Sequence, residues 1–369
     1  MKWLMSNLCF VTKAGSNCYG TALPATSDLD VKGFCLPPIE VREHLFNRFE
    51  QVINNSAIEE KWGHLRNVNN PIFESTIYSL SKFVQLAANA NPNVLELLYV
   101  DPSDILFCNK IAEKLIENRD LFLSSRLKFA LGGYSWAQFY RIERHRKWLV
   151  KGDIKKPERA DYGLSGESLK GHQEINRIIT KQIEEWNLSR FGLDTLQMGQ
   201  LKDSIFDCVY YLSNNKITWD NWPMKFEEAA LTKFVEEFNL SKDISNLIVR
   251  EIQYKNDLKE YQNWLHWKAE RNLDRMKLEK AYQYDTKHAS HLVRLLETAE
   301  EVLSGKGYIV KRPNAAWLLE IRNGKWTYDE LKEWFDKKML HIDELYKTTK
   351  LPKTVNYEKI NELYCSLIA

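Results

Sequence analysis

Two aspartates one residue apart, Asp28 and Asp30, carry the sharpest chemical signal in this chain, within the stretch AGSNCYGTALPATSDLDVKG from Ala14 to Gly33. In a β-strand alternate side chains share a face, so Asp28 and Asp30 point one way while Leu29 and Val31 point into a core. Carboxylates side by side repel unless positive charge lies between them. A divalent cation, Mg2+ or Mn2+, supplies that charge, because hard ions take oxygen ligands and commonly combine one or two protein carboxylates with substrate phosphates. Gly15 and Ser16 stand upstream, ahead of a short helix. A glycine there lets the backbone approach a ligand closely, and helix-start N–H groups with a hydroxyl make an anion site. A phosphate cradle beside a metal-binding carboxylate pair is the working end of a nucleotide-transfer enzyme. A D-x-D in a polar loop can also be a turn with a helix N-cap; the upstream Gly-Ser and the apolar ending Val31, Phe34, Leu36 before Pro37-Pro38 favour the catalytic reading.

The pattern G-S-x-x-Y-G-x-x-x-P-x-x-S-D-x-D-x-x-G resembles the DNA polymerase β-type nucleotidyltransferases. Within them it looks like the family associated with bacterial RNA-repair pathways, which phages also encode. IYSLSKFVQLAANANPNVLELLY (77–99), YDTKHASHLVRLLETAEEVLSGKG (284–307) and LLEIRNGKWTYDEL (318–331) are similar to later blocks of that family, so the resemblance runs to about Leu351 with a weaker middle.

The resemblance implies an α+β protein: an N-terminal polymerase β-type nucleotidyltransferase domain, a small mixed sheet with helices, followed by a large mostly α-helical region. The boundaries expected are 1–108 for the catalytic domain, 109–304 for a helical domain with a loop at 152–171, and 305–369 for a C-terminal helical segment packed on it. The implied activity is transfer of a nucleoside monophosphate from an NTP, ATP among the candidates, to an acceptor hydroxyl such as the 3′ end of an RNA, tRNA included. Two metal ions are implied: Asp28 and Asp30 hold one at the NTP phosphates, and a third acid with them holds the other at the attacking hydroxyl. That acid comes from a neighbouring strand, where the family usually carries an aspartate; here Glu74 is the expected residue, with Glu59, Glu60 and Asp101 as alternatives. Gly15, Ser16, Tyr19, Ser27 and Lys82 complete the nucleotide contacts that the resemblance implies. The same core serves protein-modifying, toxin-like nucleotidyltransferases and inactive nucleotide- or RNA-binding modules.

Stepping from motif to element, 28–36 reads as a strand, Gln51-Val52-Ile53 and Ala57-Ile58 as short strand fragments, and 73–78 as the next strand of the sheet. Leu4–Thr12 leads into the Gly-Ser element as a helix or a strand. Residues 79–90 show helical spacing, with Leu80, Phe83, Val84, Leu86 and Ala87 on one face. Further helices are expected at 109–118, 121–130 and 135–152, with Gly132-Gly133 between the last two, and then at 172–186, 194–213, 225–238 and a broken 241–283.

Two helices carry basic stripes. In SWAQFYRIERHRKWLVKG (135–152), Arg141, Arg144, His145 and Trp148 fall on one stripe, the composition that contacts to flexible RNA would use, or a solvated face with a stacked tryptophan. In the helix after Asp285, the apolar stripe is Ala289, Leu292, Val293, Leu296, Ala299 and Leu303, while Lys287, His291, Arg294 and Thr298 share another arc. That arc suits a triphosphate or a nucleic-acid phosphate. His288 and His291 could instead be structural histidines, and with no further ligand at metal spacing they do not predict zinc. A short basic, β-like stretch at 308–312 precedes helices at 314–323, 328–345 and 356–368.

The composition is that of an ordinary soluble globular chain: 369 residues, 44% hydrophobic and 28% charged, with net charge +2. No global polybasic signature exists, so any nucleic-acid surface is a local patch. The six cysteines show no C-x-x-C pair and no zinc spacing, which implies free thiols in a reducing compartment. No apolar run reaches membrane-spanning length, and the first residues do not read as a signal peptide; the expected location is cytoplasmic, that of a bacterium or phage-infected host.

Overall fold

The computed structural model describes residues 1, 3–23, 27–67, 69–164, 242–269 and 273–369, together with Arg177, Lys181, Glu184 and Glu185. Apart from those four positions, the helices expected at 172–186, 194–213 and 225–238, and the end of the 152–171 loop, lie outside those residues. The described packing forms two units, Met1–Leu149 with Lys277–Ala369, and Val150–Met276.

Strand alternation builds the first unit. Five strands, β1 (Leu8–Ala14), β2 (Leu29–Cys35), β3 (Gln51–Ile53), β4 (Phe73–Ser79) and β5 (Ile105–Cys108), form a sheet of order β3-β4-β2-β1-β5. β2 and β4 run parallel and the other pairs antiparallel, giving a mixed sheet. Each face meets its own apolar cluster. Leu29, Val31 and Ile77 join Leu4, Leu8, Val11, Ile58 and Trp62 on one side. Phe10, Ala14 and Phe34 belong to the larger cluster, which extends through Tyr284 and Leu292 to Leu367. Segments more than 350 residues apart in sequence therefore share one core, and the C-terminal helices pack with the sheet's own helices.

The described helices are α1 (Ser16–Tyr19), α2 (Ile39–Arg42), α3 (Ser56–Trp62), α4 (Leu80–Ala88), α5 (Pro92–Leu95), α6 (Lys110–Glu117), α7 (Leu127–Lys151), α8 (Lys242–Ala269), α9 (Leu273–Tyr282), α10 (Thr286–Leu303), α11 (Ala315–Arg322), α12 (Tyr328–Thr348) and α13 (Tyr357–Ile368). Side-chain caps start several of them: Ser79 Oγ accepts from the Lys82 N–H of α4, Asn109 from α6, and Asp285 from the His288 N–H of α10. Thr327 and Glu330 close a reciprocal capping box on α12. α10 is buried on nearly every side against α11 and α12, which makes it the central rod of the helical part.

Three local expectations need correction. Ala57 and Ile58 are helical, because Asn55 caps α3 by accepting from the Ala57 N–H. The two helices expected on either side of Gly132-Gly133 are the single helix α7; a mid-helix glycine costs only about 1 kcal/mol, and Phe139 of α7 stacks on Phe335 of α12 at 4.5 Å. Residues 308–312 form no strand, since the Arg312 N–H is taken by the Tyr19 carbonyl and its guanidinium by Glu301. Ile105–Cys108, unexpected as a strand, is the β5 edge. Leu4–Thr12 resolves into a turn of 3-10 helix, Met5–Asn7, followed by β1.

Candidate active site

β2 sets the site. Leu29 and Val31 are buried, while Asp30 and Lys32 between them face the other side of the sheet, as alternation requires. Across the parallel pair Asp30 is in register with Glu74, and across the antiparallel pair with Ala14. Directly opposed residues share a face, so Ala14, Asp30 and Glu74 form one row across three strands. Asp28 immediately precedes β2, and its carbonyl accepts from Asn17 Nδ2 at 3.0 Å, tying the acid to α1.

Gly15 closes the row. It adopts φ 61°, and a Cβ built there would lie 2.3 Å from Asp30 Oδ2. Only a residue without a side chain lets the backbone leading into Ser16 sit this close to the carboxylate.

The charges act on Asp30 as crowded carboxylates should. Its pKa rises from the usual 3.8 to about 6, first through burial and then through Asp28 and Glu74, opposed by Lys32 and Lys287. Asp28, Lys32, Glu74 and Lys287 thus all act on the Asp30 carboxylate. Lys32 was missed by the sequence reading, although the same period of two that pairs Asp28 with Asp30 puts it on the same face.

The remaining expected site residues divide. Ser16 follows Gly15 at the start of α1, beside the row. The Ser27 hydroxyl accepts from the Leu23 N–H at 2.8 Å and shapes the turn before β2. Lys82 pairs with Glu50 at 2.7 Å. Tyr19 and Arg294 are core residues: the Tyr19 hydroxyl donates to Glu96 at 2.9 Å, Arg294 lies 3.6 Å from that carboxylate, and its guanidinium sits 3.7 Å over the Tyr19 ring. The arc expected on α10 therefore ends early, because Arg294 and Thr298 are buried and only Lys287 and His291 precede them. Burial and the neighbouring Arg294, His288, Lys287 and Arg141 hold the His291 pKa well below its ordinary value, so His291 is neutral near pH 7.

The expected RNA stripe on α7 is half internal, with Arg141 exposed and Arg144 partly buried. His145 and Trp148 are 8% and 3% exposed and stack on each other, and His145 Nδ1 lies 3.2 Å from Asp285. Arg141 meets His288 Nε2 at 3.1 Å and Arg144 lies over Trp148. Among the alternative third acids, Glu59 pairs with Arg66 and Asp101 with Lys311.

Residues 4–147 match the family model of RlaP, the RNA repair pathway DNA polymerase beta family, which supports a nucleotidyltransferase in general terms. The chain is also similar to an uncharacterized 38.9 kDa protein of Enterobacteria phage T4, from the nrdC-mobD intergenic region, at 24% identity over 180 residues. That match covers 47% of this chain and 44% of the phage protein, so less than half of the relative's length is spanned. No solved structure matches. No helix among the described residues is long and apolar enough to cross a membrane.

Proposed function

We propose that the protein transfers a nucleoside monophosphate from an NTP to an acceptor hydroxyl at the row formed by Asp28, Asp30 and Glu74. The observation that carries this reading is the register of Asp30 against Glu74, with Asp28 close enough to help raise the Asp30 pKa to about 6. Such a set is costly when dry and alone, and suited to hard divalent cations. The donor chemistry, all carboxylate oxygen beside a glycine with no room for a Cβ, fits Mg2+ or Mn2+ held by Asp28, Asp30 and Glu74. When bound, such ions neutralise phosphate charge and lower the pKa of the attacking hydroxyl.

The chain's own groups supply the rest. The Gly15–Ser16 backbone and the Ser16 hydroxyl position the β- and γ-phosphates, and Lys32 and Lys287 add positive charge at the same point. Transfer then rests on in-line positioning and charge neutralisation. An RNA 3′ end, tRNA included, is the acceptor we favour, and the support is the RNA-repair description of the family matched by residues 4–147. The burial of His145 and Trp148 removes the α7 stripe from that argument.

Incubation of the full chain with each α-labelled NTP, Mg2+ or Mn2+ and either total RNA or protein extract tests the reading. Label in RNA, abolished by Asp28→Asn/Asp30→Asn, is the expected result. Label in protein would move the acceptor to the protein-modifying class, and label in neither would remove the activity.

A further inference from the structure

Away from the sheet, three donors from three elements meet in the helical part of the first unit. His145 of α7, Glu279 of α9 and Asp285, the N-cap of α10, each offer a ligand atom within 4.8 Å of the other two. All are buried, at 8%, 1% and 0% exposure. We infer that His145, Glu279 and Asp285 form a structural site for a divalent transition metal of the Zn2+ class, separate from the carboxylate row at Asp30.

The local chain path makes the cluster. α9 ends at Tyr282, and Gln283 takes φ 64° with its N–H bonded to the Glu279 carbonyl, turning the chain back so that Asp285 comes beside Glu279. An ion would take the place of the proton that His145 Nδ1 shares with Asp285 Oδ2, two atoms 3.2 Å apart. Two ligands of a tetrahedral ion with bonds of about 2 Å are separated by roughly 3.3 Å.

Charge points the same way. Glu279 and Asp285 are two buried carboxylates, and a dication would add to the partners that already compensate them. An imidazole beside carboxylates selects Zn2+ over Mg2+, which avoids nitrogen donors.

An outer layer is already in place. Arg141 has only donors, so His288 Nε2 must accept from it at 3.1 Å. The His288 proton is therefore on Nδ1, which donates to Asp285 Oδ2 at 2.8 Å. This relay orients the carboxylate as outer partners of metal ligands do. The ion would tie α7 and α9 to the start of α10, two residues before Lys287, and so fix the lysine that acts on Asp30.

The test uses the untagged full chain and an Asp28→Asn/Asp30→Asn/Glu74→Gln variant, so that failure of the catalytic reading leaves it intact. After Zn2+ loading and desalting, elemental analysis is expected to find about one Zn2+ per chain in both. Introducing His145→Ala or Glu279→Gln is expected to remove that zinc, and Co2+ loading to give visible absorption bands that vanish in the same variants. Should those variants fail to fold, the Asp28→Asn/Asp30→Asn/Glu74→Gln variant decides: chelation is expected to lower its Tm and Zn2+ to restore it. Background zinc in the triple variant, zinc retained after Glu279→Gln and His145→Ala, or a triple-variant Tm indifferent to chelator would each overturn the site.

Discussion

The Asp30 carboxylate occupies the space that a side chain on Gly15 would fill, with Oδ2 2.3 Å from the position of a Cβ. The turn that leads to Ser16 and the central acid of the row are thus fitted to one another. Gly15→Ala must displace one of them, and its φ of 61° adds about 1–2 kcal/mol of backbone strain. We expect the variant to keep its circular dichroism spectrum while kcat/KM for nucleotide transfer falls at least ~100-fold, as misplacement of this order costs elsewhere. Wild-type kinetics in the variant would show that the close approach has no catalytic role.

Asp30 gives a pH dependence with a definite sign. Its folded-state pKa lies near 6, above the usual 3.8, so the native state without divalent cations binds an extra proton between those values. Stability from this group is fully present below the lower value and is lost as pH rises through the higher. Asp30→Asn, which cannot ionise, should therefore stabilise the metal-free protein above pH 6 by roughly 3 kcal/mol at most, and hardly at all below the usual carboxylate range. Urea melts in chelator at pH 4 and pH 7.5 measure this; equal effects at both would deny the shift.

The two lysines oppose that shift. Removing the positive charge of Lys287 in Lys287→Ala should raise the Asp30 pKa further and move the acid limb of the activity profile to higher pH. KM for the NTP should rise as well, by about tenfold if the ammonium contacts phosphate. A pH–rate profile identical to wild type would place Lys287 outside the site's electrostatics.

Glu96, at 3% exposure, bonds the Tyr19 hydroxyl and faces Arg294 at 4% exposure. Truncating it leaves a buried guanidinium uncompensated, and Glu96→Ala should cost about 3–5 kcal/mol. Chemical denaturation reads this directly; a loss below 1 kcal/mol would mean that the pair is solvated in solution. The double change Glu96→Leu/Arg294→Met should recover much of the stability, because the cost lies in the stranded charge.

These residues also show what was legible in the sequence. The period of two in SDLD singled out Asp28 and Asp30, and the family resemblance pointed to Glu74 on the strand at 73–78; the register of Asp30 against Glu74 came only with the sheet. The helix expected after Asp285 starts where it was read, with Asp285 as its cap. Helical periodicity, by contrast, says which residues share an arc and not what covers it. The stripe from Arg141 to Trp148 reads as a basic surface in one helix, yet in the fold α7 turns His145 toward Asp285. Arg294 looks like a phosphate ligand until Glu96, almost 200 residues earlier, is brought to it. The cluster of His145, Glu279 and Asp285 escaped for the same reason, since its donors are set by tertiary packing and show no ligand spacing.

The central claim is that the Asp28–Asp30–Glu74 row moves nucleotides, and the most direct measurement is single-turnover transfer from an α-labelled NTP to RNA with Mg2+ or Mn2+. Wild type should form a labelled RNA product, while Asp30→Asn and Glu74→Gln each lose at least ~1,000-fold in rate with their fold intact, the scale expected when electrostatic stabilisation is removed. Undiminished transfer in the Glu74→Gln variant, or no transfer by wild type to any acceptor, would contradict it.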